Sequence, residues 1–251
     1  MTDYIDHYFS LAIDLLQTVQ RESGPAIRAA AVMVADALAD DKDVLLYGSG
    51  HSTLIAQDAA GRAGGLVPFL AMEDVAHGDA ERLEGMAQVI AGRYELRAGS
   101  VMILISNSGI NPVPVEMAML CKAAGLSVIA ITALAHSQAV ASRHSSGKKL
   151  YELADIVINT HGIPGDARLD LPGGNFKSGA TSTLVGVSIV QSMTVQAAAL
   201  LSERGIDPPV FISANLPQGD AHNKAIIKRY RSRLARYQIP VMDWGSESSE
   251  S

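Results

Sequence analysis

Residues 101–131 restrict the fold more than any other part of the chain. Val101 to Ile105 is an unbroken apolar run that stops at Ser106-Asn107-Ser108-Gly109. Pro112 to Ala124 then has helical periodicity and ends at Gly125, and Leu126 to Ile131 is a second apolar run. Short runs without polar alternation suit strands buried on both faces. Two such strands joined by a helix form a βαβ unit with parallel strands, since a tight hairpin can join only antiparallel ones. The pattern extends to either side. Asp43 to Tyr47 stops at Gly48, His51 to Ala63 resumes helical spacing, and Gly65 to Leu70 reads as a further strand. Asp155 to Asn159 is another, after a helical turn around Leu150 to Ala154. Alternating strands and helices predict an α/β fold, a doubly wound parallel sheet flanked by helices.

The flanks read as helical additions. Residues 4 to 38 suggest two helices broken at Ser23-Gly24-Pro25, Thr181 to Arg204 a long apolar helix, and Gly219 to Tyr237 a polar, basic one. Residues 161 to 179, rich in Gly, Pro and Asp, read as a loop, and residues 245–251, only Gly, Ser and Glu, as a disordered tail. Without a linker or internal repeat, residues 1–244 are expected to form one domain. A formal net charge of -6 and a pI of about 5.6 argue against a nucleic-acid partner. The lone Cys121 offers neither a disulfide framework nor a thiolate metal site. Asp3, Asp6 and Asp14 stand where a secretory leader would be basic, and no apolar run reaches the ~18 residues of a membrane span. A cytoplasmic protein with no membrane partner is expected.

Ligands of open parallel sheets bind beyond the carboxyl ends of the strands. Three such ends carry hydroxyls and glycine. The first, Gly48-Ser49-Gly50-His51-Ser52-Thr53, leads straight into a helix, whose N-terminus favours an anion. In the second, Ser106 and Ser108 can converge on one oxyanion because alternate residues of extended chain point the same way. Asn107 lies between them, Gly109 permits the turn, Asn111 suits a helix N-cap and Pro112 the first helical position. The third, Gly179-Ala180-Thr181-Ser182-Thr183, precedes the long apolar helix, with Thr181 and Thr183 as candidate ligands. Any one βα turn prefers such residues for backbone reasons, but three together favour a bound anion. Competing motifs, for nucleotide binding and for a serine hydrolase, fail. Thr53 stands where a dinucleotide fingerprint needs its third glycine, Lys177-Ser178 follows Phe176 rather than glycine, and no Gly-x-Ser-x-Gly elbow exists.

The Gly48-Ser49-Gly50-His51-Ser52 and Ser106-Asn107-Ser108-Gly109 turns resemble the phosphosugar-binding loops of sugar isomerase (SIS) domains, the family of phosphoheptose isomerase. Arg62-Ala63-Gly64-Gly65-Leu66-Val67-Pro68, Glu81-Arg82-Leu83-Glu84-Gly85, Ser142 to Lys148, Ser213-Ala214-Asn215 and Gly219-Asp220-Ala221-His222-Asn223 are similar to stretches of bacterial SIS proteins of about this length. The resemblance implies a five-stranded, flavodoxin-like parallel sheet, N-terminal helices that help form a homodimer or homotetramer, and a small-molecule sugar phosphate as ligand. It departs at Asn111, where many of these isomerases carry Thr or Ser.

Isomerisation of an aldose to a ketose needs a base between adjacent carbons and an acid or base to open the ring. Glu73, His77 and Glu81 lie in a dense titratable stretch after the second strand, and His77-Gly78-Asp79 resembles a stretch of arabinose-5-phosphate isomerases. His222 is the alternative histidine, matching one that reaches the sugar from a late helix in several SIS enzymes, and His51 adjoins the first loop. No His-x3-His pair or comparable ligand cluster stands out, so neither a metal nor another cofactor is expected. The basic run Arg143 to Lys149 receives no role. A sugar-phosphate isomerase working through an enediol is expected. A non-catalytic phosphosugar sensor or an amino-sugar phosphate lyase remain the alternatives.

Overall fold

The structure is a computed structural model that describes residues 3–236; the tail expected at residues 245–251 lies outside the described residues. Five parallel strands form the main sheet: β1 (Val44–Gly48), β2 (Phe69–Ala71), β3 (Val101–Ile105), β4 (Ser127–Thr132) and β5 (Ile156–Asn159), in the order β2-β1-β3-β4-β5. This is the doubly wound arrangement that the strand–helix alternation predicts. β1 and β3 are in register from Val44 opposite Val101 to Gly48 opposite Ile105.

The strands are apolar throughout because both faces of the sheet are covered. Val44, Leu46, Val101, Ile103, Ile105, Ile129 and Ile131 point into one core, under α1 (Tyr4–Thr18), α2 (Gly24–Ala39), α3 (Thr53–Ala59) and, later in the chain, a long helix. Leu45, Tyr47, Met102, Leu104, Val128 and Ala130 alternate into the other, under α4 (Met86–Ala91), α5 (Pro112–Ala123) and, beyond the short α6 (Leu134–Ala139) that follows β4, α7 (Leu150–Leu153). The period-two alternation of Cβ directions thus divides one apolar run between two cores. Cys121 is buried in the second core, where burial pushes its thiol pKa up to about 12.

Local differences from the sequence-based reading have physical causes. Ser23-Gly24-Pro25 does not break the N-terminal helices: a π-helical turn over Val19–Ser23 carries α1 into α2, and Pro25 sits in the first turn, where its missing N–H costs nothing. The second strand starts four residues late, because Leu66 and Val67 pair with residues 209–210 instead of with β1. The helix after β1 stops at Ala59. The 161–179 loop holds a two-stranded hairpin, β6 (Leu169–Asp170) with β7 (Lys177–Ser178). The helix α8 (Ser182–Glu203) is long and apolar enough on average to cross a bilayer, although Ser188, Gln191, Ser192, Thr194 and Gln196 interrupt any continuous apolar run. Val185, Ile189, Val190, Met193 and Ala197 are instead buried against α2 and α3. The polar helix α9 (Gly219–Arg236) follows.

After β1 the chain steps outward to β2, then returns to β3 on β1's other side. The connections on either side of that reversal leave a crevice beyond the carboxyl ends of β1 and β3.

Candidate functional site

A cavity of about 230 Å3 occupies that crevice, lined by the ends of β1 and β3, by Glu81, and by His136 beyond β4. From the first loop it takes Ser49 and Ser52, and from the second Ser106, Asn107, Ser108 and Asn111, with Ile105 and Pro114 as apolar walls.

The first loop is shaped by close packing. A Cβ at Gly48 would strike the Ser52 carbonyl, and one at Gly78 would come 3.0 Å from the Gly50 Cα, so two glycines let residues 77–79 lie on the loop. Two of its donors are already engaged, while the Ser52 hydroxyl, which lines the cavity, has no partner among the described residues. Buried Asp74 accepts from the Gly50 N–H (2.9 Å) and from the Ser49 hydroxyl (3.2 Å). A phosphate bound by the Ser49 hydroxyl and the Gly50 N–H would have to displace that carboxylate. An Asp74→Ala protein should be about 1–3 kcal/mol less stable, the cost of two donors losing their acceptor, as read from urea unfolding. Unchanged stability would mean that Asp74 does not hold the loop.

The second loop keeps its donors. Ser106 Oγ accepts from the Gly109 N–H (3.1 Å), which leaves its proton free to donate, and no described residue engages the Ser108 hydroxyl. Gly109 has φ +62°, and a Cβ there would come within 3.0–3.4 Å of Thr132 Oγ1, Ser137 Oγ and Leu150 Cβ, so only glycine fits. The start of α5 adds little: Pro112 and Pro114 have no N–H, and that of Val113 bonds to the Glu81 carbonyl (3.2 Å). The donors open to an anion here are loop hydroxyls rather than a helix end.

Asn111 occupies the N-cap position of α5, yet its side chain caps nothing. Its Nδ2 donates to Glu81 Oε1 (2.6 Å), and its Oδ1 accepts from Arg143 Nη1 (2.8 Å). Arg143, Asn111 and Glu81 form a chain that aims the carboxylate along the cavity wall. Burial raises the Glu81 pKa above the ordinary 4.5, and the Asp74 charge adds to this, while Arg82 and Arg143 partly offset it. Among the candidate bases, Glu81 alone lines the cavity.

The other candidates lie elsewhere. Glu73 is exposed and pairs with Arg93 at 2.9 Å. His77, at φ +49°, and His51 are exposed beside the first loop without lining the cavity. His222 is exposed on the first turn of α9, its Nε2 2.9 Å from the Val210 carbonyl. Thr181 is buried, its N–H bonded to Asp166 Oδ1 (3.1 Å), and the same carboxylate takes the Ser182 N–H and hydroxyl. Neither Thr181 nor Thr183 lines the cavity, and Asp166 takes the donors at the start of α8.

Three residues at or beside the cavity were not singled out from the sequence: Asp74, Arg143 and His136. Asp74 borders the titratable stretch and Arg143 begins the basic run, so proximity to a flagged segment was the available signal. His136 follows the third central strand, whose end carries no hydroxyl-glycine pattern. The loop carrying Arg143 is fastened across the site's rim. Glu84 takes the Ser145 N–H and hydroxyl (2.6 and 2.8 Å), Glu116 takes the Gly85 N–H (2.8 Å), and His144 lies 3.6 Å from Glu116. Ligand atoms of Glu84, Glu116 and His144 come within 4.8 Å of one another, a grouping that sequence spacing did not reveal, but their bonds are spent on this fastening.

A family model of the SIS domain matches residues 7–133. The UPF0309 protein of Listeria monocytogenes is 38% identical over 227 residues, covering 90% of this chain and 97% of that one. A phosphoheptose isomerase from Francisella tularensis shares the fold with a TM-score of 0.56 at 21% identity, over 78% of this chain and 98% of that one. The Vibrio vulnificus NanR protein complexed with ManNAc-6P has a TM-score of 0.52 at 15% identity, over 92% of this chain and 69% of that one.

Proposed function

Since the chain belongs to the SIS-domain family and, within it, to the UPF0309 proteins, we propose that it is a sugar-phosphate isomerase acting through an enediol. The observation that carries this reading is Glu81, a carboxyl with a raised pKa in the same cavity as the free hydroxyls of the second loop. Ser106 and Ser108 hold the phosphate. Glu81, aimed by Asn111, takes the proton from the carbon beside the carbonyl. As the enediol forms and collapses, the proton of the adjacent hydroxyl passes to the former carbonyl oxygen. Glu81 returns its proton to the former carbonyl carbon, so that none is gained or lost. A pKa raised toward the working pH suits a group that must both accept and release a proton. The Vibrio protein of the same fold is complexed with ManNAc-6P, which supports a sugar phosphate as the ligand class. A sensor would need the hydroxyls but not a desolvated base.

The test is a thermal-shift screen of aldose and ketose phosphates and their unphosphorylated parents, followed by NMR of each stabilising compound with the protein in D2O. Stabilisation by the phosphorylated forms, conversion, and deuterium at the carbon next to the carbonyl are expected. Stabilisation without conversion or exchange would replace the isomerase with the sensor.

The proposal includes self-association through α1. Ile5, Phe9 and Ile13 are 69%, 62% and 52% exposed at spacings of four residues, so they form one apolar stripe along the helix. A second copy is the partner that the family's N-terminal helices suggest. Phe9→Glu should reduce the mass seen by light scattering to that of one chain, and an unaltered mass would place the interface elsewhere.

A further inference from the structure

Buried polar side-chain atoms without a partner are uncommon in folded proteins and call for an explanation. Among the described residues there are five, and three of them, Asn107 Oδ1, His136 Nδ1 and Ser137 Oγ, gather beyond the ends of β3 and β4. Asn107 and His136 line the cavity itself. Ser137 sits behind them, near where a Gly109 Cβ would be. The strand ends have been left with hydrogen-bonding capacity that the protein does not use.

His136 is also firmly mounted. The first turn of α6 is tied to Asn159 Oδ1 through the Leu134 N–H (3.1 Å), and the Ala133 N–H bonds to the Asn107 carbonyl (3.0 Å). From the other side, Lys149 Nζ bonds to the Ser137 carbonyl (2.7 Å). These bonds hold a histidine at a cavity wall while giving its Nδ1 nothing to bond to.

From this geometry, and resting on the isomerase reading above, we infer that His136 is the group that opens the sugar ring, so that one chain supplies both proton-transfer residues. The imidazole takes the proton of the anomeric hydroxyl as the bond from the anomeric carbon to the ring oxygen breaks. The carbonyl forms, and the imidazolium returns that proton to the former ring oxygen. No proton is gained or lost, and no co-reactant is needed. Glu81 then acts on the open chain. His222, exposed and held to the Val210 carbonyl, is not required for this step.

The experiment uses His136→Gln in the full chain, a change of similar volume that leaves no new buried charge. Two sets of probes are compared: aldohexose 6-phosphates and aldopentose 5-phosphates, which close into rings, and erythrose 4-phosphate, whose ring-closing oxygen carries the phosphate. Turnover of the ring-forming aldoses should fall about a hundredfold or more, the usual worth of a positioned acid or base. Erythrose 4-phosphate should be converted by mutant and wild type at rates within a few-fold. Equal losses on both sets, or none, would overturn the ring-opening role while leaving the isomerase in place.

A second readout does not depend on turnover. The His136 ring signals, identified by their absence from the mutant's histidine NMR spectrum, should move on binding a hexose 6-phosphate and stay put with inorganic phosphate. Immobile ring signals while the Ser106 to Gly109 amides shift would remove His136 from the sugar. Shifted ring signals with no conversion by wild-type protein would sink both the ring-opening role and the isomerase reading.

Discussion

Replacing Ser106 and Ser108 together by alanine should weaken phosphosugar binding a hundredfold or more and leave the fold intact. Each hydroxyl donates a charge-assisted hydrogen bond to a phosphate, worth about 1.5–3 kcal/mol, and the two losses together correspond to at least two powers of ten in Kd. The fold should survive because neither side chain is part of either core, and the one internal bond at stake is the Gly109 N–H to Ser106 Oγ. The loop would still be held by the Leu150 N–H to the Gly109 carbonyl (2.9 Å) and the Ala133 N–H to the Asn107 carbonyl (3.0 Å). Calorimetric titration with a stabilising phosphosugar measures the first effect, and thermal melting without ligand the second. Full affinity in a folded double mutant would put the phosphate elsewhere, with the first loop and its Asp74 as the place to look.

Glu81→Gln should lower turnover by about a thousandfold, within the range for loss of a general base, with phosphosugar affinity little changed. Glutamine keeps the acceptor for Asn111 Nδ2, so the wall of the cavity stays in place and only the proton-accepting function is lost. In wild-type protein the rate should fall as the pH drops through the Glu81 pKa, at a value above 4.5, because the base must be ionised to act. The sign for stability is the opposite. A carboxyl whose pKa is raised by folding binds its proton more readily in the folded state, so it stabilises the fold below the ordinary pKa. That contribution is lost as the pH rises from 4.5 through the raised value. Glutamine removes this pH-dependent loss, so at neutral pH the mutant should melt no lower than wild type. A mutant that turns over normally, or a rate with no acid limb, would exclude Glu81 as the base.

Both predictions rest on residues that were legible to different degrees. Ser106 and Ser108 could be read directly, because the end of a buried strand and the start of a helix are local signals, and the residues between them lie at the end of the sheet where the crevice opens. β3 was identified to the residue for the same reason. Glu81 could be named only as one of several candidates. Glu73, His77 and Glu81 lie within nine residues of one another, and no periodicity tells which of them turns inward. The decision comes from the backbone of residues 77–79 packing on Gly50, and from Asn111, thirty positions on, donating to the carboxylate. Thr181 illustrates the opposite error. Its loop has the composition of an anion site, but Asp166 had already claimed its donors, a pairing across fifteen residues of irregular chain.

What the sequence alone determined is therefore the class of fold, the strands of its centre and the loop at the end of β3. These follow from residue size, polarity and backbone preference over short stretches. Only the tertiary structure decided which titratable groups share the cavity with that loop. It carried Arg143 to Asn111, brought His136 from beyond β4, kept His222 outside, and used Asp74 to close the first loop. Such outcomes depend on non-local contacts and on competition for each donor and acceptor, and a linear sequence lists the competitors without showing which of them meet.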